Sequence, residues 1–440
     1  MDTVRYGSRG NSVLLLQLAL RREGSFRGEL DGIFGTRTLN AVRRFQSAHG
    51  LTPDGVAGRR TVEAAEPYLY GFFRYKLKPG DSFYRLAKRF GTEANAVAAA
   101  NPRLDPAELA VGAQVVIPLT PSVTPSDAPY SSELMGYIAG GLAARYPEIR
   151  QETIGTSVLG KPIWAFRLGR GSARLLIAAA FHANEWITAP LTLDFLESMA
   201  RAAASHGTVA GRSAAELLKR AELIVVPLVD PDGADLVNSA VSKQGFARAL
   251  AIAEDFPDVP FPSGWKANIA GIDLNLSFPA GWEEAKRIKS AMGWTRPAPR
   301  DYPGRAPLEA PEARAVHDLI EREDPVMLLC FHTQGGEIYL RYNGLEPECS
   351  ERIGERLAQV SGYEPADTPE NSSYAGCRDW FIERFRRPGF TVEAGRGKNP
   401  LPLSELARLK EDNFPLMVTA LEEAGRLRGR PPRESAELSF

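Results

Sequence analysis

Cysteine and histidine are scarce in this chain, and their scarcity narrows its chemistry. Among 440 residues only Cys330, Cys349 and Cys377 are cysteine, an odd number without C-x-x-C spacing, which excludes a disulfide framework and a cysteine-rich zinc site. Long apolar runs are missing too: no uncharged apolar stretch reaches about 20 residues, so no membrane span is expected. The run Val13–Leu20 is interrupted by Gln17 and followed by Arg21-Arg22-Glu23. It lacks the basic start and small-residue cleavage site of a signal peptide and reads as an amphipathic helix. An excess of either charge is absent as well. With 53 basic and 54 acidic residues the net charge is -1, which leaves no broad positive field for a phosphate backbone and excludes nucleic acid as an expected partner. What the chain does have is an ordinary globular composition, 44% apolar and 24% charged. At roughly 100–200 residues per domain, its length predicts two to four folded units.

Punctuation separates these units. Residues 1–70 contain an internal echo, Asp31-Gly-Ile-Phe-Gly-Thr-Arg-Thr-Leu and Asp54-Gly-Val-Ala-Gly-Arg-Arg-Thr-Val, each Asp-Gly turn leading into a helix. Leu14, Leu15, Leu18 and Ala19, then Leu39, Val42, Phe45 and Gln46, recur at helical spacing. The pattern Gly7-x-x-Gly10-x-x-Val13-x-x-Leu16-Gln17, with the two Asp-Gly turns and Phe45-Gln46, resembles the three-helix peptidoglycan-binding domain family. Residues 74–119 begin with an alternating strand at Arg74–Lys78, then the turn Pro79-Gly80-Asp81-Ser82, where Asp81 or Ser82 can cap a helix. Phe83, Leu86, Ala87 and Phe90 share one face of that helix, Gly91 ends it, a second helix stops near Asn101-Pro102, and Gln114–Pro118 reads as a closing strand. This βααβ order, with Ala-Asn-Pro and Val-Ile-Pro, resembles a LysM domain, a family that binds N-acetylglucosamine-containing glycans. Residues 120–129, rich in proline and serine, read as a semi-extended linker.

From residue 130 to 425, continuous apolar runs at 175–181, 223–229, 326–331 and 390–392 alternate with helical patterns at 189–203 and 310–321. Buried strands alternating with helices make an α/β layer fold. Residues 426–440 form a tail.

The chain has only five histidines, and two stand at the ends of buried runs. His182 ends the run from Leu175 and is followed three residues on by Glu185. His332 ends Met327-Leu-Leu-Cys-Phe about 150 residues downstream. Two imidazoles and a glutamate suit a catalytic zinc site, which keeps a fourth position for water whose pKa the metal lowers to about 7. Glu393 ends a third run, where an unpaired acid is costly to bury and so needs a reason. His49, His206 and His317 read as structural or surface residues.

His182-x-x-Glu185, the later His332 and Glu393 in Phe-Thr-x-Glu resemble the M14 zinc carboxypeptidase family over about residues 130–425. The resemblance implies a zinc-carboxypeptidase-like mixed sheet flanked by helices. It also implies one Zn2+ per chain, held by His182, Glu185 and His332, and proton transfer by Glu393 from water to the leaving amine. Further segments, among them Asp230-Pro-Asp-Gly, Ser263-Gly-Trp-Lys-Ala-Asn and Asp379-Trp-Phe-Ile, are similar to the family's bacterial cell-wall endopeptidases. The implied reaction is cleavage of a peptidoglycan stem peptide between γ-D-glutamate and meso-diaminopimelate or lysine.

Departures matter. Where the family carries D-x-N-R, whose arginine clamps a terminal carboxylate in two prongs, this chain has Asp273-Leu274-Asn275-Leu276, which disfavours a standard C-terminal exopeptidase. Lys266, in Trp265-Lys266, stands where the family has arginine and is the candidate for oxyanion stabilisation. Asn275, and Tyr374 near the family's mobile tyrosine, are expected substrate contacts. Arg341, Arg378 and Arg396 are arginines that could hold the acidic groups of such a peptide, with surface ion pairing an equal account of each. Two other readings stay open here: a metallocarboxypeptidase for other peptides, and a wall-binding protein that does not catalyse. Lack of a leader suits an enzyme that is cytoplasmic, or associated with mother cell or spore, and acts on the wall.

Overall fold

A computed structural model describes residues 1–369 and 372–427; residues 428–440 of the expected tail lie outside them. Three helices open the chain, α1 (Asn11–Glu23), α2 (Thr36–Ala48) and α3 (Arg59–Tyr70). The internal echo has a structural cause, because each Asp-Gly turn is gripped by a buried glutamine from the helix before it. Gln17 donates to Asp31 Oδ1 at 2.8 Å and Thr38 Oγ1 at 3.0 Å, and its Oε1 accepts from Gly32 N at 2.9 Å. Gln46 repeats this on Asp54 Oδ1 at 2.9 Å, Thr61 Oγ1 at 3.1 Å and Gly55 N at 2.9 Å. Both glycines have positive φ, 64° and 78°, which a side chain would strain.

Next come β1 (Phe72–Lys76), α4 (Phe83–Phe90), α5 (Ala94–Ala100) and β2 (Gln114–Pro118), with β1 antiparallel to β2. The first strand lies two residues earlier than its alternation suggests. Ser82 is the cap, accepting from Arg85 N at 3.2 Å, while Asp81 accepts from Lys78 N in the preceding turn. Asn101 locks α5 onto β2, exchanging bonds with Val116 N at 2.9 Å and Val116 O at 2.7 Å.

The stretch 120–129 does connect the units, but it is not a free linker. Buried Glu197 accepts from Val123 N and Thr124 N, each at 2.9 Å. Arg22 donates to the carbonyls of Tyr68, Ser122 and Val123, and Arg145 to that of Pro121. Val123, Ala128 and Tyr130 are fully buried. These bonds dock the two small units on the large one.

The large unit runs α6 (Ser132–Arg145), β3 (Arg150–Thr156), β4 (Pro162–Leu168), β5 (Ala173–Ala179), α7 (Thr188–Ala204), a short ribbon β6–β7 (Thr208–Val209 and Arg212–Ser213), α8 (Ala214–Arg220), β8 (Ala221–Val226), α9 (Pro231–Val237) and α10 (Lys243–Ala253). It continues with α11 (Trp282–Ala291), α12 (Pro311–Glu323), β9 (Met327–His332), β10 (Glu337–Tyr339), α13 (Ser350–Ser361), β11 (Glu364–Ala366), α14 (Cys377–Phe385), β12 (Gly389–Glu393) and α15 (Leu406–Arg426). Eight strands form one mixed sheet in the order β11-β10-β12-β9-β5-β8-β4-β3. Its middle four, β12, β9, β5 and β8, are parallel, which is why their sequences read as unbroken apolar runs. Helices cover both faces: Leu175, Ile177, Leu329 and Val392 pack in one core with α7 and α15, while Leu176, Ala178, Leu328 and Cys330 pack in another with α12 and α14. No helix among the described residues is long and apolar enough to cross a membrane.

Candidate metal centre

Because β5, β9 and β12 are parallel neighbours, their C-terminal ends lie on one edge of the sheet, where open α/β sheets take their ligands. His182 follows β5, and a single turn at Ala183–Glu185 swings Glu185 back beside it. His332 is the last residue of β9 and pairs in register with Glu393, the last of β12. The loop after α10 closes over this edge, its Trp265 and Lys266 carbonyls each accepting a backbone bond of 3.1 Å from the turn at 183–184.

Glu185 Oε1 lies 3.0 Å from His182 Nδ1, and Oε2 lies 2.9 Å from His332 Nδ1. The two Nδ1 atoms are 3.3 Å apart. Zinc–nitrogen bonds of about 2.0–2.1 Å at the tetrahedral angle place two nitrogens about 3.3 Å from each other, so the donor set fits a tetrahedral zinc. Asp273 Oδ1 sits 3.1 Å from His182 Nε2 and fixes the proton there, turning the Nδ1 lone pair inward. Burial opposes a charged imidazole, but Glu185 and Asp273 outweigh it and hold His182 up to about 9. Burial lowers His332, and although it would raise Glu185, the His182 and Lys266 charges hold that carboxyl well below the usual range. Lys266 Nζ lies 3.1 Å from Glu185 Oε1; burial works against its charge, but Glu185 and Asp273 raise its pKa.

His182, Glu185, His332 and Lys266 line one cavity of about 150 Å³ together with Glu393, Asn275, Tyr339, Thr368, Arg378, Asp379 and Thr391. Glu393 is pushed up to about 8, first by burial and then by the charge of Glu185. Asn275 accepts from Cys377 N at 3.4 Å. Three other expected contacts lie elsewhere. Arg341 is 40% exposed and is spent on Glu346, Glu351 and Asp367. Arg396 is exposed and lies over the backbone of Gly336. Tyr374 packs against Tyr342 and the apolar group of Leu276, Trp282 and Ala285. Asp273 was visible only as part of a departed motif. Its function as the partner of His182 depends on a contact across 91 residues and has no local signal.

The family model described as zinc carboxypeptidase, peptidase M14, matches residues 138–416, and the chain belongs to that family: it is a zinc peptidase. A peptidoglycan binding domain model matches residues 9–65 and a LysM model residues 75–118. Among curated relatives, the chain is similar to gamma-D-glutamyl-L-diamino acid endopeptidase 1 of Lysinibacillus sphaericus, 42% identical over 64% of this chain and 69% of that one. A spore cortex-lytic enzyme of Bacillus cereus is 41% identical over 14% of this chain and 24% of its own. Thrombin-activatable fibrinolysis inhibitor shares the fold, with a TM-score of 0.55 at 16% identity, covering 72% of this chain and 90% of that one. Carboxypeptidase A from Helicoverpa armigera does so with a TM-score of 0.53 at 18% identity over 69% and 75% of the two chains.

Proposed function

We propose that this peptidase cleaves the stem peptide of peptidoglycan at the γ-D-glutamyl–diamino acid bond, with one zinc ion held by His182, Glu185 and His332. The observation that carries the reading is the convergence of these three donors with Glu393 on one cavity, in a chain whose small units match wall-binding modules. A zinc ion supplies Lewis acidity there, acidifying water and polarising the scissile carbonyl. Glu393, which lines the same cavity as the three donors, is placed both to accept a proton from the attacking water and to return it to the departing amine. Lys266 offers an ammonium to the oxygen that becomes negative as the carbonyl is attacked. Leu276 is buried in an apolar cluster and supplies no clamp for a chain-terminal carboxylate, which favours an endopeptidase over a carboxypeptidase of ordinary peptides.

Purified muropeptides, followed by mass spectrometry, test this. Release of the fragment that begins with the diamino acid, leaving L-alanyl-D-glutamate on the sugar, is expected from the wild-type protein, with loss under phenanthroline and a fall of about 10²–10⁴-fold in Glu393→Gln. Full turnover in either condition refutes the mechanism. Preference for hippuryl-type substrates over muropeptides would assign the chain to the ordinary carboxypeptidases.

A further inference from the structure

A second hollow, about 360 Å³ in volume, lies at the other edge of the sheet. It is bounded by Leu218 and Lys219, which lead into β8, and β8 runs parallel to β5, so the hollow sits at the N-terminal ends of these strands, opposite the metal centre. Its apolar lining is Leu168, Ala200, Ala203, Ala215 and Leu218, and Ala99 of the module matched at 75–118 borders it. Alanines on α7 and α8 leave space that larger side chains would fill. Arg145, the last residue of α6, also lines the cavity and is 9% exposed. Its Nη1 donates to Gly71 O at 3.3 Å and Pro121 O at 2.6 Å, which fixes the guanidinium where the three units meet. Its Nε is buried and has no acceptor. A buried, charged N–H without a partner is rare in folded proteins and marks a place where something binds.

Resting on the reading of the chain as a wall enzyme, we propose that this cavity holds an N-acetylated amino sugar of the glycan strand. The acetamide carbonyl completes Arg145 Nε, and the acetamide methyl and the apolar face of the ring lie against the alanines and leucines. Tyr146 lines the same cavity, its hydroxyl tied to Glu197 Oε1 at 3.0 Å, and offers a fixed ring to a sugar face. Pro147 is shared with an adjoining hollow that includes Arg74, Pro102 and Gln114 of the small module, so a run of sugars can continue from one to the other. Two observations favour a neutral acceptor over a carboxylate. The rim cations are already paired, Arg170 with Glu148 at 3.0 Å and Lys219 with Glu216 at 2.6 Å, and Glu148 itself borders the cavity. Stripping water from a carboxylate against an apolar lining also costs far more than stripping it from an amide. Because the cavity and the metal centre lie on opposite edges, sugar and stem peptide do not compete.

Hydrogen exchange of the full chain, followed through residues 143–148, 200–204 and 215–219 as ligand is titrated, reads affinity at this cavity. The ligands are the N-acetylglucosamine tetramer, cellotetraose, which carries hydroxyls in place of the acetamides, and the sugar-free stem peptide L-Ala-γ-D-Glu-meso-diaminopimelate. The acetylated tetramer is expected to protect these segments, and cellotetraose to do so about 10–100-fold more weakly. The stem peptide should leave them unprotected. Ala203→Phe and Ala215→Phe, each filling the cavity, should abolish the protection, while the comparison of ligands needs neither variant to fold. Absence of protection by the acetylated tetramer overturns the proposal, as does equal protection by the two sugars. Protection by the stem peptide, or protection that survives in both folded variants, overturns it too. Hydrolysis of muropeptides by the wild-type protein is scored separately. Turnover without protection by the acetylated tetramer defeats this inference and leaves the proposed reaction standing, whereas protection without turnover does the reverse.

Discussion

Replacing Asp273 by asparagine alters one charge outside the donor set, and the structure dictates its effect on metal affinity. Asp273 is buried, and its Oδ1 receives His182 Nε2 and Asn275 N, each at 3.1 Å, while Oδ2 receives Asp301 N at 3.1 Å. Asparagine cannot serve all three. With its carbonyl toward His182, its amide faces the Asp301 N–H, donor against donor. With its amide toward His182, it favours the tautomer protonated at Nδ1, the nitrogen that faces Glu185 and His332. Loss of the carboxylate also lowers His182 and eases proton competition there, but the same carboxylate acts on a doubly charged ion in the holo state and a singly charged proton otherwise, so the net change disfavours metal. Partners behind a metal-bound histidine contribute about 10–100-fold in affinity, or roughly 1.4–2.7 kcal/mol. Competition against a zinc chelator at pH 7.5, with circular dichroism to verify the fold, should show that weakening. A folded Asp273→Asn protein that holds zinc within about threefold of wild type would mean that packing alone aims His182.

Three further outcomes follow from particular contacts. Asp235 is buried and held at about 6, mainly by burial, against an ordinary value of 3.8, while its two oxygens accept from Ser132 N and Oγ. Its protonated form is the one the fold prefers, so wild type loses stability relative to Asp235→Asn as pH rises from about 4 to 6, by roughly 3 kcal/mol at most, and the gap is flat above; pH-resolved chemical denaturation checks this, and a gap that does not change with pH refutes it. Glu197→Ala removes both backbone bonds that hold Val123 and Thr124, and limited proteolysis should cut within 120–129 many times faster than in wild type, with peptidase activity on soluble muropeptides kept. Gln46→Ala strands the Asp54-Gly55 turn and should destabilise the N-terminal helices by roughly 3 kcal/mol, read as early loss of amide protection in hydrogen exchange around α2 and α3.

The centre of the molecule was legible in the sequence because its four parallel strands are buried on both faces and so read as apolar runs, each with a polar residue set at its tip. His182, Glu185, His332 and Glu393 could be found this way. The outer strands were not, since β3 is Arg-Gln-Glu-Thr-Ile-Gly-Thr, partly exposed along its whole length, and β10 and β11 are three residues each. Among the arginines, local sequence gives no means to tell Arg378, turned inward on a helix, from Arg341, paired at the surface. That difference is made by Thr368 and Asp379 on one side and Glu346 and Glu351 on the other. The anchoring of the stretch at 120–129 was hidden for a similar reason. Proline and serine give an extended backbone, and the carboxylate that captures it arrives more than 70 residues later.

That capture changes how the small units act on the large one. A slack connection behaves as a leash, letting a cleft sweep a volume around its anchor and act wherever a bond falls within reach. Here Arg22, Arg145 and Glu197 turn the leash into a ruler. On the proposed reading, polymer gripped at the N-terminal end would meet the sheet edge at one spacing and orientation, so cutting should be periodic along an immobilised strand.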